Sequence, residues 1–275
     1  MELIRRAADR GIVTLTLDSP RNRNALSAQL VAELYAALAE VETDPETRAV
    51  LLTHTGGTFC AGADLTEASA ADTPASPSSA PLDLARLLRR LVEFPKPVVA
   101  RVTGHVRAGG TGLLSACDIA VAGPGATFAF TEARIGLAPA VISMPVLPRV
   151  DPRAAARYYL TGERFDAAEA ARIGLVTLAA EPPRDAPEAT GDPAGAAEAA
   201  EAAVDTALAP VLDGLRRGSP QGLAESKALV TAEVLRAFDR DTGTLAELSA
   251  RLFASGEARE GMAAFLERRD PAWVC

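Results

Sequence analysis

The sequence predicts an α/β fold, a core of interleaved strands and helices followed by a helical C-terminal region. Three observations carry this. Strand-like and helix-like apolar patterns alternate from about residue 11 to about residue 179, several of the buried runs end in glycine-containing turns, and beyond about residue 200 only helical spacing is present. At 275 residues, with 48% hydrophobic and 23% charged residues, the chain can bury one sizeable core.

The first element is a strand over about residues 11–18, because Val13, Leu15 and Leu17 alternate with Thr14, Thr16 and Asp18. After a turn rich in Pro, Arg and Asn, Ser27 is an N-cap for a helix of about four turns carrying Leu30, Leu34, Leu38 and Val41, which Asp44-Pro45 closes. Ala49-Val50-Leu51-Leu52 is a continuous apolar run before Gly56-Gly57, as expected of a strand buried on both faces. Residues 69–81 lack periodicity and read as a mobile loop ahead of a helix with Leu84, Leu87, Leu88 and Leu91. Pro95-Lys96-Pro97 ends that helix, and Val98–Val102 is the next buried strand. A glycine-rich turn and a short helix follow, then Cys117–Val121 and Thr127–Phe130 as further strands. Residues 181–199 read as a flexible surface insertion. The tail carries Leu223, Leu229, Leu235, Leu245, Leu248, Leu252, Met262 and Phe265 at helical spacing, which places them on apolar faces.

Charge and composition exclude several functions. Lys+Arg of 28 against Asp+Glu of 36 leaves −8, so the chain as a whole repels nucleic acid and anionic membranes, and any anionic ligand needs a local basic patch. The longest apolar stretches are strand-sized and the acidic N-terminus lacks a basic, then apolar, leader, so the expectation is a cytoplasmic protein without a membrane partner. Cys60, Cys117 and Cys275 are odd in number and unpaired in spacing, and His54 and His105 are too few for a histidine metal centre, so no disulfide framework or metal site is expected. The segment 109–112 matches neither a dinucleotide fingerprint nor a phosphate loop, and no nucleophile elbow is present.

Two segments remain: Phe59-Cys60-Ala61-Gly62-Ala63-Asp64-Leu65 and residues 104–112, GHVRAGGTG, each between a buried strand and a helix. Asp64 and Glu67 have capping-box spacing, which puts Ala63 directly ahead of a helix start with its amide pointing out of the turn. Gly109 has the same expected placement. Spacing leaves two readings open: two tight turns, or two amides converging on one carbonyl oxygen as an oxyanion hole, with each donor worth about 3 to 4 kcal/mol of barrier.

In order and spacing, these residues resemble the enoyl-CoA hydratase/isomerase, or crotonase, superfamily over about Gly11 to Trp273. The matching elements are Pro20 with Asn24-Ala25-Leu26, FCAGADL at 59–65, GHVRAGGTG at 104–112, CDIAVA at 117–122, FAFTEARIGLAP at 128–139 and EGMAAFLERRDPAW at 260–273. The resemblance implies a ClpP/crotonase-like spiral of ββα units over residues 1–195, with a helical trimerisation region over 196–275. It also implies a homotrimer or a dimer of trimers, and an acyl-CoA thioester as substrate, with no cofactor beyond the coenzyme A of the substrate itself.

Carried over position by position, the resemblance makes Ala63 and Gly109 the amides that hold the thioester oxygen of an enolate-like intermediate. Glu132 becomes the carboxyl that moves a proton beside it, and a carboxylate in a dry pocket has a raised pKa, which suits that task. Arg21 and Arg23 fall where the family wraps the nucleotide, and Ala61, Asp64 and Leu65 line the pantetheine path. Phe265 and Arg268, or the adjacent Arg269, resemble tail residues that reach the adenine, commonly from a neighbouring subunit.

The departure is Gly112, where hydratases of the usual type carry a second glutamate that activates water. Thr111, His105 and Ser143 are the nearest polar residues by alignment, and none carries a negative charge. Enoyl-CoA hydratase is the first expectation, with Δ3-Δ2-enoyl-CoA isomerase or another one-glutamate reaction ranked close behind, and a non-catalytic acyl-CoA binder as the alternative from another class. Acyl specificity is expected to depend on the 69–81 loop and a pocket wall near Ala140, Val141 and Ile142.

Overall fold

The computed structural model describes residues 2–70, 79–181 and 193–275. The chain opens with strands β1 (Ile4–Asp9) and β2 (Ile12–Leu17), then helix α1 (Ala28–Thr43). Strands β3 (Ala49–His54) and β4 (Thr58–Cys60) lead into α2 (Leu65–Ala70) and α3 (Ser79–Glu93). Strands β5 (Val98–Val102) and β6 (His105–Arg107) lead into α4 (Gly109–Ser115). Strands β7 (Ile119–Ala122) and β8 (Thr127–Ala129) lead into a 3-10 turn at Glu132–Ile135, then α5 (Ser143–Val146) and α6 (Pro152–Thr161). Next come β9 (Phe165–Asp166), α7 (Ala167–Arg172) and β10 (Leu178–Ala179), and last α8 (Pro193–Arg217), α9 (Pro220–Phe253) and α10 (Gly256–Glu267).

Two sheets result, one of six strands in the order β1-β2-β3-β5-β7-β10 and one of four in the order β4-β6-β8-β9. The β1–β2 hairpin is antiparallel and turns at Arg10 and Gly11, both with positive φ (43° and 80°), as a tight hairpin requires. From β2 onward the larger sheet is parallel throughout. In each pair, β3–β4, β5–β6 and β7–β8, the first strand joins the larger sheet and the second the smaller one, with helix following. That is the spiral of ββα units, ended by a helical C-terminal region. The short strands β4 and β6, read from sequence as glycine turns, are what build the smaller sheet.

Ser27 caps α1 as expected, its Oγ accepting from the Leu30 amide at 3.2 Å. The Ser/Pro/Ala stretch 69–81 is corrected at its ends, since α2 runs to Ala70 and α3 starts at Ser79, while 71–78 lie outside the described residues. The 181–199 stretch is corrected likewise: 182–192 lie outside the described residues, and α8 starts at Pro193. Pro81 and Pro193 sit in the first turns of these helices, where no intrahelical N–H bond is lost.

The core between the layers buries Phe59, Phe94, Phe128, Phe130 and Phe238 completely or nearly so. The 34-residue α9 packs on α3 and α5 and turns Lys227, Thr231, Val234, Ala237 and Phe238 inward. Leu229, expected on the apolar face, is 79% exposed, and Phe265 is 51% exposed. The inward stripe instead starts at Lys227, whose Nζ pairs with Asp118 Oδ2 at 2.8 Å and donates to the carbonyls of Leu91 and Lys96.

Both histidines have structural surroundings. His54 is buried, accepts the Thr103 amide on Nε2 at 3.2 Å, and is held to about pKa 4 by burial. His105 Nδ1 lies 2.9 Å from Thr127 Oγ1. Cys60 and Cys117 are buried, with thiols pushed up to about 12 by that burial, although Cys117 lies in the turn between α4 and β7 rather than in an element. Among the described residues no His/Cys/Asp/Glu group could hold a metal ion, and no helix is long and apolar enough to cross a membrane.

Candidate active site

Strands β4, β6 and β8 are parallel neighbours, so their carboxyl ends share one edge of the smaller sheet. Ala63 follows the last residue of β4, Gly109 that of β6 and Glu132 that of β8, each by two or three residues. Ligands of open α/β sheets gather outside such ends, because the chain turns there and exposes amides at helix starts.

The Ala63 segment is held against residues 23–26 by backbone bonds. The Ala61 amide donates to Arg23 O at 3.1 Å and the Leu26 amide to Gly62 O at 2.8 Å, with Leu26 and Ala63 forming a parallel bridge. Gly62 has φ +93°, and a Cβ there would stand 2.9 Å from Ala108 Cβ and 3.0 Å from Gly109 N. A Cβ on Gly109 would be 3.5 Å from Ala63 N. The two backbones therefore approach with no side chain between them. Ala108 adopts φ 46°, ψ −122°, a conformation that L-residues rarely take, immediately before α4 opens with Gly109. Gly109 opens α4, where an amide has no intrahelical acceptor, Ala63 stands just ahead of the Asp64 cap of α2, and among the described residues neither amide has an acceptor.

Asp64 caps α2, its Oδ1 accepting from the amides of Thr66 (3.0 Å) and Glu67 (3.3 Å). The reciprocal half of the expected capping box is replaced: Glu67 Oε2 accepts from Ala28 N at 3.0 Å, which ties α2 to the start of α1.

Glu132 opens the 3-10 turn, which Gly136 closes with φ 74°. Its side chain is buried, with the residue only 8% exposed, and its Oε2 has no hydrogen-bond partner. Burial pushes its carboxyl up to about 7. Tyr159, packed on Phe130 at 4.7 Å between ring centroids, has its hydroxyl raised by burial and further by the Glu132 charge. The turn is backed by α10: a Cβ on Gly261 would stand 2.5 Å from the Ile135 carbonyl, and one on Gly136 2.6 Å from the Glu257 carbonyl.

At Gly112, in the first turn of α4, a Cβ would lie 2.8 Å from Ile142 Cβ and 3.2 Å from Leu88 Cδ1. Apolar side chains fill the place beside the glycine. The polar neighbours named from sequence are otherwise engaged. Thr111 Oγ1 donates to Ala108 O at 2.6 Å, Ser143 Oγ to Pro139 O at 2.6 Å, and His105 is exposed beside Thr127.

The structure brings together Arg21, Arg23, Ala61 and Asp64. Arg21 lies in a 3-10 turn, Pro20–Asn22, that Arg23 ends, and Asn22 Nδ2 donates to Asp64 Oδ2 at 2.6 Å. Both arginines are exposed and, among the described residues, neither guanidinium has a hydrogen-bond or ion-pair partner. Leu65 packs instead with Leu137, Ala258 and Met262 under α10. Phe265 and Arg268 are exposed at the end of α10, and among the described residues no ion pair or hydrogen bond joins them to the arginine turn. Arg269 is bound to Glu260 and Glu267 at 2.6 Å each, which leaves Arg268 the free cation of the two. Sequence reasoning does not find Ala108 or Gly261, since an alanine gives no sign of positive φ and a mid-helix glycine no sign of what it touches. It reaches Ile142 only as a pocket wall.

The model of the enoyl-CoA hydratase/isomerase family matches residues 7–184. The chain is 34% identical to the enoyl-CoA hydratase EchA19 of Mycobacterium tuberculosis, over 94% of this chain and 91% of that protein. It is 32% identical to the 1,2-epoxyphenylacetyl-CoA isomerase of Escherichia coli, over 100% and 99%. A crystal structure of an enoyl-CoA hydratase from Mycobacterium avium superposes with a TM-score of 0.84 at 52% identity, covering 98% of each chain.

Proposed function

The chain belongs to the enoyl-CoA hydratase/isomerase family, and from that premise we propose that it moves a proton along an enoyl-CoA with a single carboxylate, as in Δ3-to-Δ2 double-bond isomerisation. The observation that carries this is the pairing of a lone, dry, unpartnered Glu132 with an apolar filling at Gly112. One carboxylate suffices to take a proton from one carbon and return it to another. Adding water in the usual way needs a second carboxylate to hold and activate it.

In this reading the Glu132 carboxylate takes a proton from C2 of a 3-enoyl thioester, and the electron pair passes to the thioester oxygen. The amides of Ala63 and Gly109 donate to that oxygen, each for about 3 to 4 kcal/mol of barrier. The protonated Glu132 then delivers the proton to C4, the electrons return, and the conjugated 2-enoyl thioester leaves with the carboxylate restored. A carboxyl poised near 7 is matched to both halves of this transfer. No cofactor is required beyond the coenzyme A of the substrate. Arg21 and Arg23 supply the local positive charge that phosphates need against a net charge of −8, and the thioester arm runs along the backbone of Ala61, Asp64 and Leu65, whose own side chain packs under α10.

Hydration is the second reading, supported by relatives that bear the hydratase name, with water activated by Glu132 alone. A homotrimer or dimer of trimers fits the exposed Leu229 and Val230 on α9 and the free Phe265 and Arg268 on α10, and light scattering on the purified protein measures it. A cytoplasmic location rests on the charge and patterning of the sequence.

The deciding assay offers 3-enoyl-CoA and trans-2-enoyl-CoA to the enzyme and follows conjugated absorbance. Gain from the first with little loss from the second is expected. Rapid loss from the second establishes hydration instead. Binding without turnover of either, and without exchange of α-protons in heavy water, establishes a binding protein.

A further inference from the structure

Among the described residues, five buried side-chain polar atoms lack a hydrogen-bond partner. One is Glu132 Oε2. The other four, Ser115 Oγ, Asp118 Oδ1, Arg149 Nε and Arg149 Nη2, belong to three residues that line one cavity of about 300 Å³. It lies at the end of α4 away from Gly109, between that helix, the turn before β7 and the α7–β10 connection, so it is separate from the carboxyl-end edge described above.

The unpaired atoms form a defined set. Asp118 Oδ2 is already used, accepting from Lys227 Nζ at 2.8 Å and Val98 N at 2.7 Å, while Oδ1 is left as a bare acceptor on a side chain only 9% exposed. Ser115 is 2% exposed with its hydroxyl free. Arg149 Nε and Nη2 are adjacent donors on one side of the guanidinium, which is the fork that meets two oxygens of an oxyanion. Lys227 spends its protons on Asp118 and on the carbonyls of Leu91 and Lys96. Counting Arg149 and Lys227 against Asp118 leaves one positive charge around the cavity, with the buried Cys117 thiol neutral. The mouth is at Gly174 and Thr177, both exposed, where Gly174 lies so close to the Arg149 carbonyl that a Cβ there would stand 2.5 Å from its oxygen.

We propose that this cavity binds a small oxyanion that keeps a proton, such as dihydrogen phosphate. Two of its oxygens accept from Arg149 Nε and Nη2, a third accepts from Ser115, and its hydroxyl donates to Asp118 Oδ1. A single negative charge balances the surplus positive one, and a bare carboxylate oxygen rejects an ion with no proton to give. Buried unpaired polar groups are otherwise met by water, for which a cavity of this size has room for about ten molecules, so hydration alone is the competing outcome.

The test is thermal unfolding of the full chain in mildly acidic buffer, titrated with phosphate or with sulfate at equal ionic strength. Sulfate is of similar size and salting-out strength but carries no proton. A saturable rise in Tm with phosphate that exceeds the rise with sulfate is expected, by mass action on the folded state. Arg149→Gln should weaken the phosphate dependence by about tenfold or more, Ser115→Ala by a few-fold, and the Arg21→Ala/Arg23→Ala double variant should leave it intact, which separates this site from any phosphate bound at the arginine turn. If Arg149→Gln does not fold, Ser115→Ala together with 31P line broadening of phosphate on the wild-type chain decides. Equal response to sulfate, no saturation, loss of the effect only in the Arg21/Arg23 variant, or an unchanged Ser115→Ala response would each overturn the proposal and leave a water-filled cavity.

Discussion

Ile142 and residue 112 compete for one volume: a Cβ at 112 would lie 2.8 Å from Ile142 Cβ, so the helix α4 can carry only glycine there while the Ile142 backbone keeps its place. The place beside residue 112 is therefore filled by an apolar side chain, that of Ile142 at the start of α5. Gly112→Ala should destabilise the fold by about 1 to 3 kcal/mol through overpacking. In combination with Ile142→Ala much of that loss should disappear, giving a non-additive double-mutant cycle in urea unfolding. Gly112→Glu alone should not create a hydratase, as measured by water addition to 2-enoyl-CoA, because its side chain has no vacant space to enter.

Glu132 links stability to pH in the direction opposite to a paired surface acid. Its folded-state pKa of about 7 stands above the ordinary glutamate value of 4.5, so the folded chain holds the proton more tightly than the unfolded chain does. The resulting stability is fully present below about pH 4.5 and is lost as pH rises through about 7, to a total of about 3 kcal/mol for a nearly fully buried group. Glu132→Gln should remove this term, with an unfolding midpoint above that of the wild type in alkaline buffer and the difference closing under acid.

The same substitution should lower the proposed isomerisation by about 10²- to 10⁴-fold with little change in binding of a saturated acyl-CoA. For a reaction that begins with proton removal, wild-type kcat/KM should rise with pH through about 7, following the ionisation of Glu132. A profile that falls through the same region would show Glu132 entering the reaction as an acid.

Ala108 holds a backbone conformation at φ 46°, ψ −122° beside Gly62 at φ +93°, and this pair sets where the Gly109 amide points. Strain of this kind is worth about 1 to 3 kcal/mol. Ala108→Gly should be tolerated or stabilising in thermal melts, while Gly62→Ala should cut kcat sharply, since its Cβ would push on Ala108 Cβ and Gly109 N together.

How far the sequence speaks can be judged from particular residues. The alternation at Val13–Leu17, the Ser27 cap and the run Val98–Val102 are local signals, and the structure has β2, α1 and β5 there. Strands β4 and β6 have three residues each, too few to show a period, so the smaller sheet that aligns residues 63, 109 and 132 is visible only once the chain is folded. Lys227 faces inward because Asp118 waits there, 109 positions away in sequence, and a lysine at helical spacing otherwise reads as solvent-facing. Gly112 reads in sequence as a missing side chain, whereas its physical content is the presence of Ile142. The family motifs point to positions 63, 109, 112 and 132, and the contacts that constrain position 112 come from residues far away in the chain.

Gly261 gives the longest-range prediction. It lies in the middle of α10, where glycine weakens a helix by roughly 1 kcal/mol relative to alanine, so a helical advantage should favour replacing it. Yet a Cβ there would stand 2.5 Å from the Ile135 carbonyl, inside the turn that starts with Glu132. Backbone has no rotamer by which to yield, so α10 or the 3-10 turn must move. Gly261→Ala should therefore leave the helix content by circular dichroism unchanged or higher while lowering kcat for isomerisation several-fold, with the pH midpoint of kcat/KM drifting down toward the ordinary carboxylate range as water reaches Glu132. Unchanged kcat and an unmoved midpoint would mean that α10 does not position the turn that carries Glu132.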